Sequence, residues 1–148
     1  MSKKLNASFD TTRHVYDHCL CFAAQRAARA LARRFDEALS PLDLTSGQFS
    51  LLTSLNRPEA PSMGSIAALL VMDRTTLTAN LKPLEQRGFV EIAVDAADRR
   101  VRRLILTPAG RRVLQSALPI WQETHGEIDR LVTPHDGKAL RSGLRALA

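Results

Sequence analysis

Two clusters of polar side chains stand out in this chain. The first is Arg74, Thr75, Thr76, Thr78, Asn80 and Lys82, interleaved with Leu77, Leu81 and Leu84. Leucines at i, i+4 and i+7 predict one buried stripe of a helix. That stripe leaves Arg74, Thr75, Thr78 and Lys82 outward, with Thr76 and Asn80 nearer the flanks. The second cluster is Asp98-Arg99-Arg100 followed by Arg102 and Arg103, four arginines within five residues. Like charges this dense repel one another and favour a polyanionic partner, although a basic run alone also fits a solvated face. Arginine can bond guanine O6 and N7, asparagine can bond adenine, and threonine methyls can touch the thymine methyl. A helix carrying all three has the width and chemistry for a major groove. Its N-terminus also offers free amides to a phosphate. An arginine-tipped hairpin beside it can reach an adjacent minor groove.

The elements that must hold these side chains follow from periodicity and capping. From about Asp10 to Leu39 the apolar spacing predicts one long helix, closed by Pro41, with an alanine-rich stripe suited to close packing against another helix. Thr45 or Ser46 caps a second helix carrying Phe49, Leu51, Leu52 and Leu55. Two prolines mark 56–61 as a loop. Ser62 or Ser65 caps a third helix with Ile66, Leu69 and Leu70 toward the core. Asp73 caps the fourth by accepting the amide of Thr75 or Thr76. Pro83 predicts a bend in this fourth helix, and Gly88 ends it. Phe89–Val94 and Arg102–Thr107 alternate as strands, with Leu104 and Leu106 inward and the tip at 95–100. Thr107 and Pro108 open a fifth helix, kinked at Pro119, with Val113, Ala117, Ile120, Trp121, Thr124, Ile128 and Leu131 on its stripe. Thr133-Pro134 caps a last helix bearing Leu140, Leu144 and Leu147.

The 148 residues predict a single domain, mainly α with a small β-hairpin wing, in which 45–107 form a winged helix-turn-helix. The net charge is +6. No apolar run near about 18 residues and no signal-peptide pattern at Met1-Ser2-Lys3-Lys4 is present, so a soluble, cytoplasmic protein is expected. Cys19 and Cys21 fall on roughly opposite sides of the predicted helix and cannot easily bridge within one chain. No glycine-rich phosphate loop, paired-cysteine zinc pattern or nucleophile elbow occurs. The reading is therefore of a non-enzyme with no cofactor and no metal.

Asp73-Arg74-Thr75-Thr76-Leu77-Thr78, Glu85-Gln86-Arg87-Gly88 and Asp98-Arg99-Arg100 with Leu104-Ile105-Leu106-Thr107-Pro108-Ala109-Gly110 resemble the MarR-type winged helix-turn-helix regulators. The likeness covers nearly the whole chain in element order. It implies a homodimer formed by the N- and C-terminal helices, 10–40 and 108–148, that binds a pseudo-palindromic double-stranded DNA operator and represses. It also implies that Asp98 orients Arg100 into the minor groove while Arg74, Thr76 and Thr78 face the major groove. Two-fold symmetry sets the half-sites about 10 base pairs apart.

The signal has several candidates. Leu20-Cys21-Phe22 resembles the setting of the reactive cysteine in the OhrR-like, hydroperoxide-sensing branch of that family. Gln25 and Phe35 stand where that branch supplies tyrosines, and Tyr16 precedes the cysteine. His18, Arg26 or a partner-chain arginine are the cations that could favour a thiolate, and Cys19 is a candidate resolving partner across the dimer. Equally, Cys21 can serve as a small apolar core residue. Phe22, Phe49 and Trp121 can line a cleft between the dimerising and DNA-binding parts, where members of the family bind small aromatic acids. Alternatively they are plain core. Arg26 can pair with such a carboxylate, or with Glu123 or Asp129. His14 and His18 at i, i+4 can hold a metal only with a third ligand that the spacing does not supply.

The function expected is a DNA-binding transcriptional regulator, a repressor released by a small molecule or an oxidant. The alternatives are a dedicated Cys21 peroxide sensor and a winged helix used as a protein-interaction module, which would bind DNA weakly and with little salt dependence. For an enzyme, Cys21 with His18 is the only conceivable pair.

Overall fold

Each helix of the DNA-reading half starts at a polar cap already visible in the sequence. In the computed structural model, which describes residues 6–148, the elements run α1 Phe9–His18, α2 Leu20–Leu39, α3 Ser46–Leu55, α4 Met63–Leu69 and α5 Arg74–Gln86. Strands β1 Val90–Val94 and β2 Arg102–Leu106 follow, then α6 Pro108–Val132 and α7 Gly137–Arg145. The leader reading at residues 1–4 lies outside the described residues. Thr45, not Ser46, caps α3, and Gln48 returns a bond to the Thr45 amide to complete a capping box. Ser62, not Ser65, caps α4. Asp73 caps α5 through Thr76 N–H at 2.7 Å, and Thr107 caps α6 through Gly110 N–H at 3.0 Å.

The expected single helix from 10 to 39 is two helices. At Cys19 the backbone turns extended, φ −82° and ψ 106°. Its amide still closes α1 on the Val15 carbonyl, while its Sγ accepts the Phe22 amide at 3.4 Å and so starts α2. Tyr16 and Phe22 stack across the break, 4.9 Å between ring centres. Three further expectations need correction. Leu69 is exposed, because α4 lasts only seven residues and its buried face is Met63, Ile66 and Ala67. On α6 the buried positions are Gly110, Leu114, Ala117 and Thr124, whereas Trp121 and Leu131 are exposed on the protomer. Asp136 caps α7 through the amides of Lys138 and Ala139; Thr133 instead terminates α6, its hydroxyl donating to the Asp129 carbonyl. Pro83 and Pro119 both sit inside continuous helices.

The core lies between α3, α4, α5 and the hairpin, with the end of α2 and the first half of α6 closing it. Leu39, Leu51, Leu52, Ile66, Leu77, Leu81, Leu84, Val90 and Leu104 are its largest fully buried side chains. The strands pair antiparallel, with Val90 opposite Leu106 and Ile92 opposite Leu104. The loop before α4 adds to the other edge of β2, through a Ser62–Arg103 bridge and Leu104 N–H to the Pro61 carbonyl at 2.9 Å. Gly88, at φ +73°, ends the α5 region in the left-handed conformation that favours glycine. Among the described residues no helix is long and apolar enough to cross a membrane.

Val71, in the turn between α4 and α5, holds φ +53° and is exposed. A β-branched residue is strained in that conformation. Val71→Gly is expected to raise stability by about 1 kcal/mol, read as a higher urea midpoint at unchanged slope. A lower midpoint would show that Val71 is not strained there.

Candidate nucleic-acid interface

Recognition chemistry concentrates on the exposed side of α5. Leu77, Leu81 and Leu84 are buried to completion, which fixes the rotation of the helix. Arg74, Thr75, Thr76, Thr78, Asn80 and Lys82 are all exposed as a result. Arg74, Thr75, Thr78 and Lys82 border one open groove with Glu85 and with Ile92 of β1. The Arg74 guanidinium lies against α4 beside Gly64. The threonines differ in what they can offer. The Thr76 hydroxyl donates to Asp73 Oδ2 at 2.9 Å, so it reinforces the cap. The Thr78 hydroxyl is bonded back to the Arg74 carbonyl at 2.8 Å, which leaves its methyl to meet a partner. Asn80 directs Nδ2 toward Met72 Sδ at 3.7 Å, on the flank nearer the helix-turn-helix turn.

The amide and hydroxyl of Thr76 hold the Asp73 carboxyl below the usual carboxylate range. A depressed carboxyl favours the folded state above its unfolded pKa and loses that contribution as the pH falls through the folded value. The cap on α5 is thus complete at neutral pH and weakens only in acid.

On the wing, Asp98 accepts the Arg100 amide at 3.0 Å and its Nε at 3.3 Å. The pair leans the guanidinium along the tip while the Arg100 side chain stays 92% exposed. The other arginines are not equivalent to it. Arg102 Nη1 donates to the Arg99 carbonyl at 2.8 Å. Arg103 is drawn inward to Asp95, a residue that sequence reasoning did not single out. Arg87, quoted only as part of a motif, bonds the carbonyls of Leu42 and Asp43 and lies 4.6 Å over the Phe89 ring. The two carbonyl bonds join residues more than forty positions apart, so periodicity carries no sign of them.

The sensor candidates separate into two places. Phe49 and Trp121 line a small cleft of about 120 Å³ with Phe35, Ser46 and Ser50, between α2, α3 and α6. Phe22 is not part of that lining; it stacks on Tyr16, with the Arg26 guanidinium 5.5 Å over its ring. Arg26 therefore stands over an aromatic ring, while Asp129 pairs with His125 and Arg141. Cys21 is exposed on the protomer, contrary to the reading of a core residue, and receives Gln25 Nε2 at 3.2 Å. Cys19 is half-buried as the cap of α2. His18 stacks on His14 at 4.1 Å between ring centres, and its Nδ1 faces the His14 carbonyl. Among the described residues no cluster of three metal-ligating side chains forms.

Comparison with known proteins agrees with this architecture. Residues 44–101 match the MarR family. The chain is 39% identical over 95 residues to the HTH-type transcriptional regulator TtmR of Methylorubrum extorquens, covering 64% of this chain and 49% of TtmR. It thus spans about half the length of that relative. The M. tuberculosis transcriptional regulator MosR, solved in complex with DNA, is 36% identical with a TM-score of 0.79, over 88% of this chain and 93% of MosR. The transcriptional repressor CouR bound to a 23-mer DNA duplex is 30% identical with a TM-score of 0.72, over 90% and 92% of the two chains. CouR bound to p-coumaroyl-CoA gives 26% and 0.78, over 90% and 94%. With a helix-turn-helix and arginine-bearing wing built as above, and a relative this similar along almost its full length, the chain belongs to the MarR family of winged-helix transcriptional regulators.

Proposed function

We propose that the protein is a cytoplasmic, homodimeric repressor that grips a pseudo-palindromic operator with two copies of α5 and the wing. The observation that carries this reading is the groove in which Arg74, Thr75, Thr78 and Lys82 stand uncovered beside β1. In this reading α5 enters the major groove. Asn80 and the helix N-terminus supply further base and phosphate contacts, and Asp98 steadies Arg100 in the neighbouring minor groove beside Arg99. Residues 45–107 are the DNA-binding part. The flanking helices dimerise, because Leu20, Leu31, Leu118, Leu131, Leu140 and Leu144 are exposed on the protomer and call for a cover that a second copy provides. MosR and CouR have been solved on DNA, which supports the same use here. Release follows when a small aromatic ligand enters between Phe35, Phe49 and Trp121 and shifts the population toward a spacing of the two α5 helices that no longer fits the operator. CouR has been solved with p-coumaroyl-CoA bound, which supports release by a ligand with an aromatic group.

The test is fluorescence anisotropy of the purified protein on the DNA upstream of its own coding region and on a shuffled duplex. Binding at least roughly a thousandfold tighter to the upstream DNA is expected; equal affinity for both would overturn the reading. Arg74→Ala is expected to cost about 1–3 kcal/mol on the operator and to relax preference at one base pair. Equal losses on operator and shuffled DNA would make Arg74 a phosphate contact instead.

A second reading of the signal rests on Cys21, whose exposed Sγ receives an amide donor from Gln25. If Cys21 is the sensor, an organic hydroperoxide releases the wild-type protein from DNA and leaves Cys21→Ser bound. Release of both proteins, or of neither, removes that reading.

A further inference from the structure

Asp95 accepts three hydrogen bonds on the wing, from two amides and one arginine. Its Oδ2 accepts the amides of Ala97 and Asp98 at 3.0 and 2.9 Å, closing the turn at the tip. Its Oδ1 accepts Arg103 Nε at 2.7 Å. The carboxylate is mostly covered, with only 17% of its side chain exposed. Arg103 then extends past it, Nη1 reaching the Ala60 carbonyl at 3.4 Å in the loop before α4. The backbone of Arg103 bridges Ser62, the cap of α4, and the next amide donates to Pro61. One side chain pair therefore joins three things: the tip that carries Arg99 and Arg100, the body of β2, and the first residues of the helix-turn-helix.

We propose that Asp95 and Arg103 are positioning residues for DNA recognition: they set the distance between the wing tip and the helix-turn-helix, and Arg103 does not itself contact DNA. The inference rests on the DNA-binding reading above. It divides the basic cluster by task. Arg100 is left outward to meet the minor groove, whereas Arg103, with 40% of its side chain exposed, commits Nε to Asp95 and Nη1 to the Ala60 carbonyl. Without the pair, the hairpin keeps its strand register but loses the tie that fixes its reach, so Arg100 and α5 no longer meet their grooves together.

The variant Asp95→Asn separates this from simple electrostatics. It removes a negative charge from the DNA-facing wing, which by charge alone strengthens binding. Asparagine can still accept one amide of the tip turn, but it loses the charged partner of Arg103. The expected result is a roughly tenfold weaker affinity for the operator, equivalent to about 1.4 kcal/mol. The slope of log K against log salt should be unchanged, because no phosphate contact is removed. Arg103→Gln should show the same loss and the same slope, and the double variant should be no weaker than either single one. Hydroxyl-radical footprints should lose the flanking minor-groove protection while protection by α5 remains. Thermal melts identify any variant that fails to fold: if Arg103→Gln or the double variant fails, the Asp95→Asn affinity decides, and if Asp95→Asn fails, the salt slope of Arg103→Gln decides. Equal or tighter binding by Asp95→Asn, or a slope shallower by about one per protomer in Arg103→Gln, overturns the proposal and makes Arg103 a direct DNA contact. Wild-type protein that fails to prefer its own upstream DNA is a different outcome, since it removes the DNA-binding reading itself.

Discussion

Gly110→Ala is expected to destabilise the fold by about 4 kcal/mol or more, the largest effect of an added Cβ at any of its glycines. A Cβ at position 110 falls well inside van der Waals contact with the Phe89 carbonyl oxygen and 2.8 Å from Leu106 Cδ1. A flexible side chain can move aside, but the Phe89 carbonyl cannot, because it already accepts the Thr107 amide at 3.1 Å. The Thr107 hydroxyl is likewise committed, donating to the Gly88 carbonyl at 2.6 Å while accepting the Gly110 amide. Four residues at the seam between the wing and α6 thus share one bonding network with no slack. Gly126→Ala is the natural control. It sits in the same helix with nothing within 4 Å of its added methyl, and should be neutral or stabilising by up to about 1 kcal/mol. Urea unfolding of the two variants provides the comparison. A Gly110→Ala protein within about 1 kcal/mol of wild type would show that the seam can open without loss.

Arg100→Ala is expected to have the largest effect on DNA affinity of the wing substitutions. Its guanidinium is the most exposed of the ion-paired arginines, and its pairing with Asp98 limits the rotamers it must give up on binding. In a symmetric dimer each substitution acts twice. The loss should be about 1–3 kcal/mol per protomer, and the salt slope should become shallower by roughly two in all. Folding stability should barely change, since an exposed ion pair contributes little. A gel-shift titration at several salt concentrations would test this, and unchanged affinity would take Arg100 out of the interface.

What the sequence made legible was local. The caps at Thr45, Ser62, Asp73 and Thr107 depend on residues within one turn, and the buried stripe of Leu77, Leu81 and Leu84 depends on one helical period. The break at Cys19 was not legible, because neither glycine nor proline stands there; a cysteine sulfur does the capping normally expected of an oxygen. Leu69 was misplaced because a seven-residue helix is too short for its spacing to average out. On α6, Trp121 and Leu131 follow the apolar period yet are exposed, since periodicity says that a face must be covered but not by which chain. At the candidate interface, the outward set on α5 followed directly from its buried stripe. The division of labour among the wing arginines did not. It depends on Asp95 lying within reach of Arg103 across the hairpin, and so on the length of the tip turn rather than on residue type.

Arg87 gives the fold a mechanical property. It caps the end of α5, yet its guanidinium grips the carbonyls of Leu42 and Asp43, where the chain leaves α2 through a left-handed residue at φ +50°. The C-terminal end of α5 is thus bolted to the turn that follows α2, while its N-terminal end is held by the Asp73 cap and by α4. Strain in the turn that leaves α2 is therefore passed first to the C-terminal end of α5, the end opposite Arg74 and Thr75.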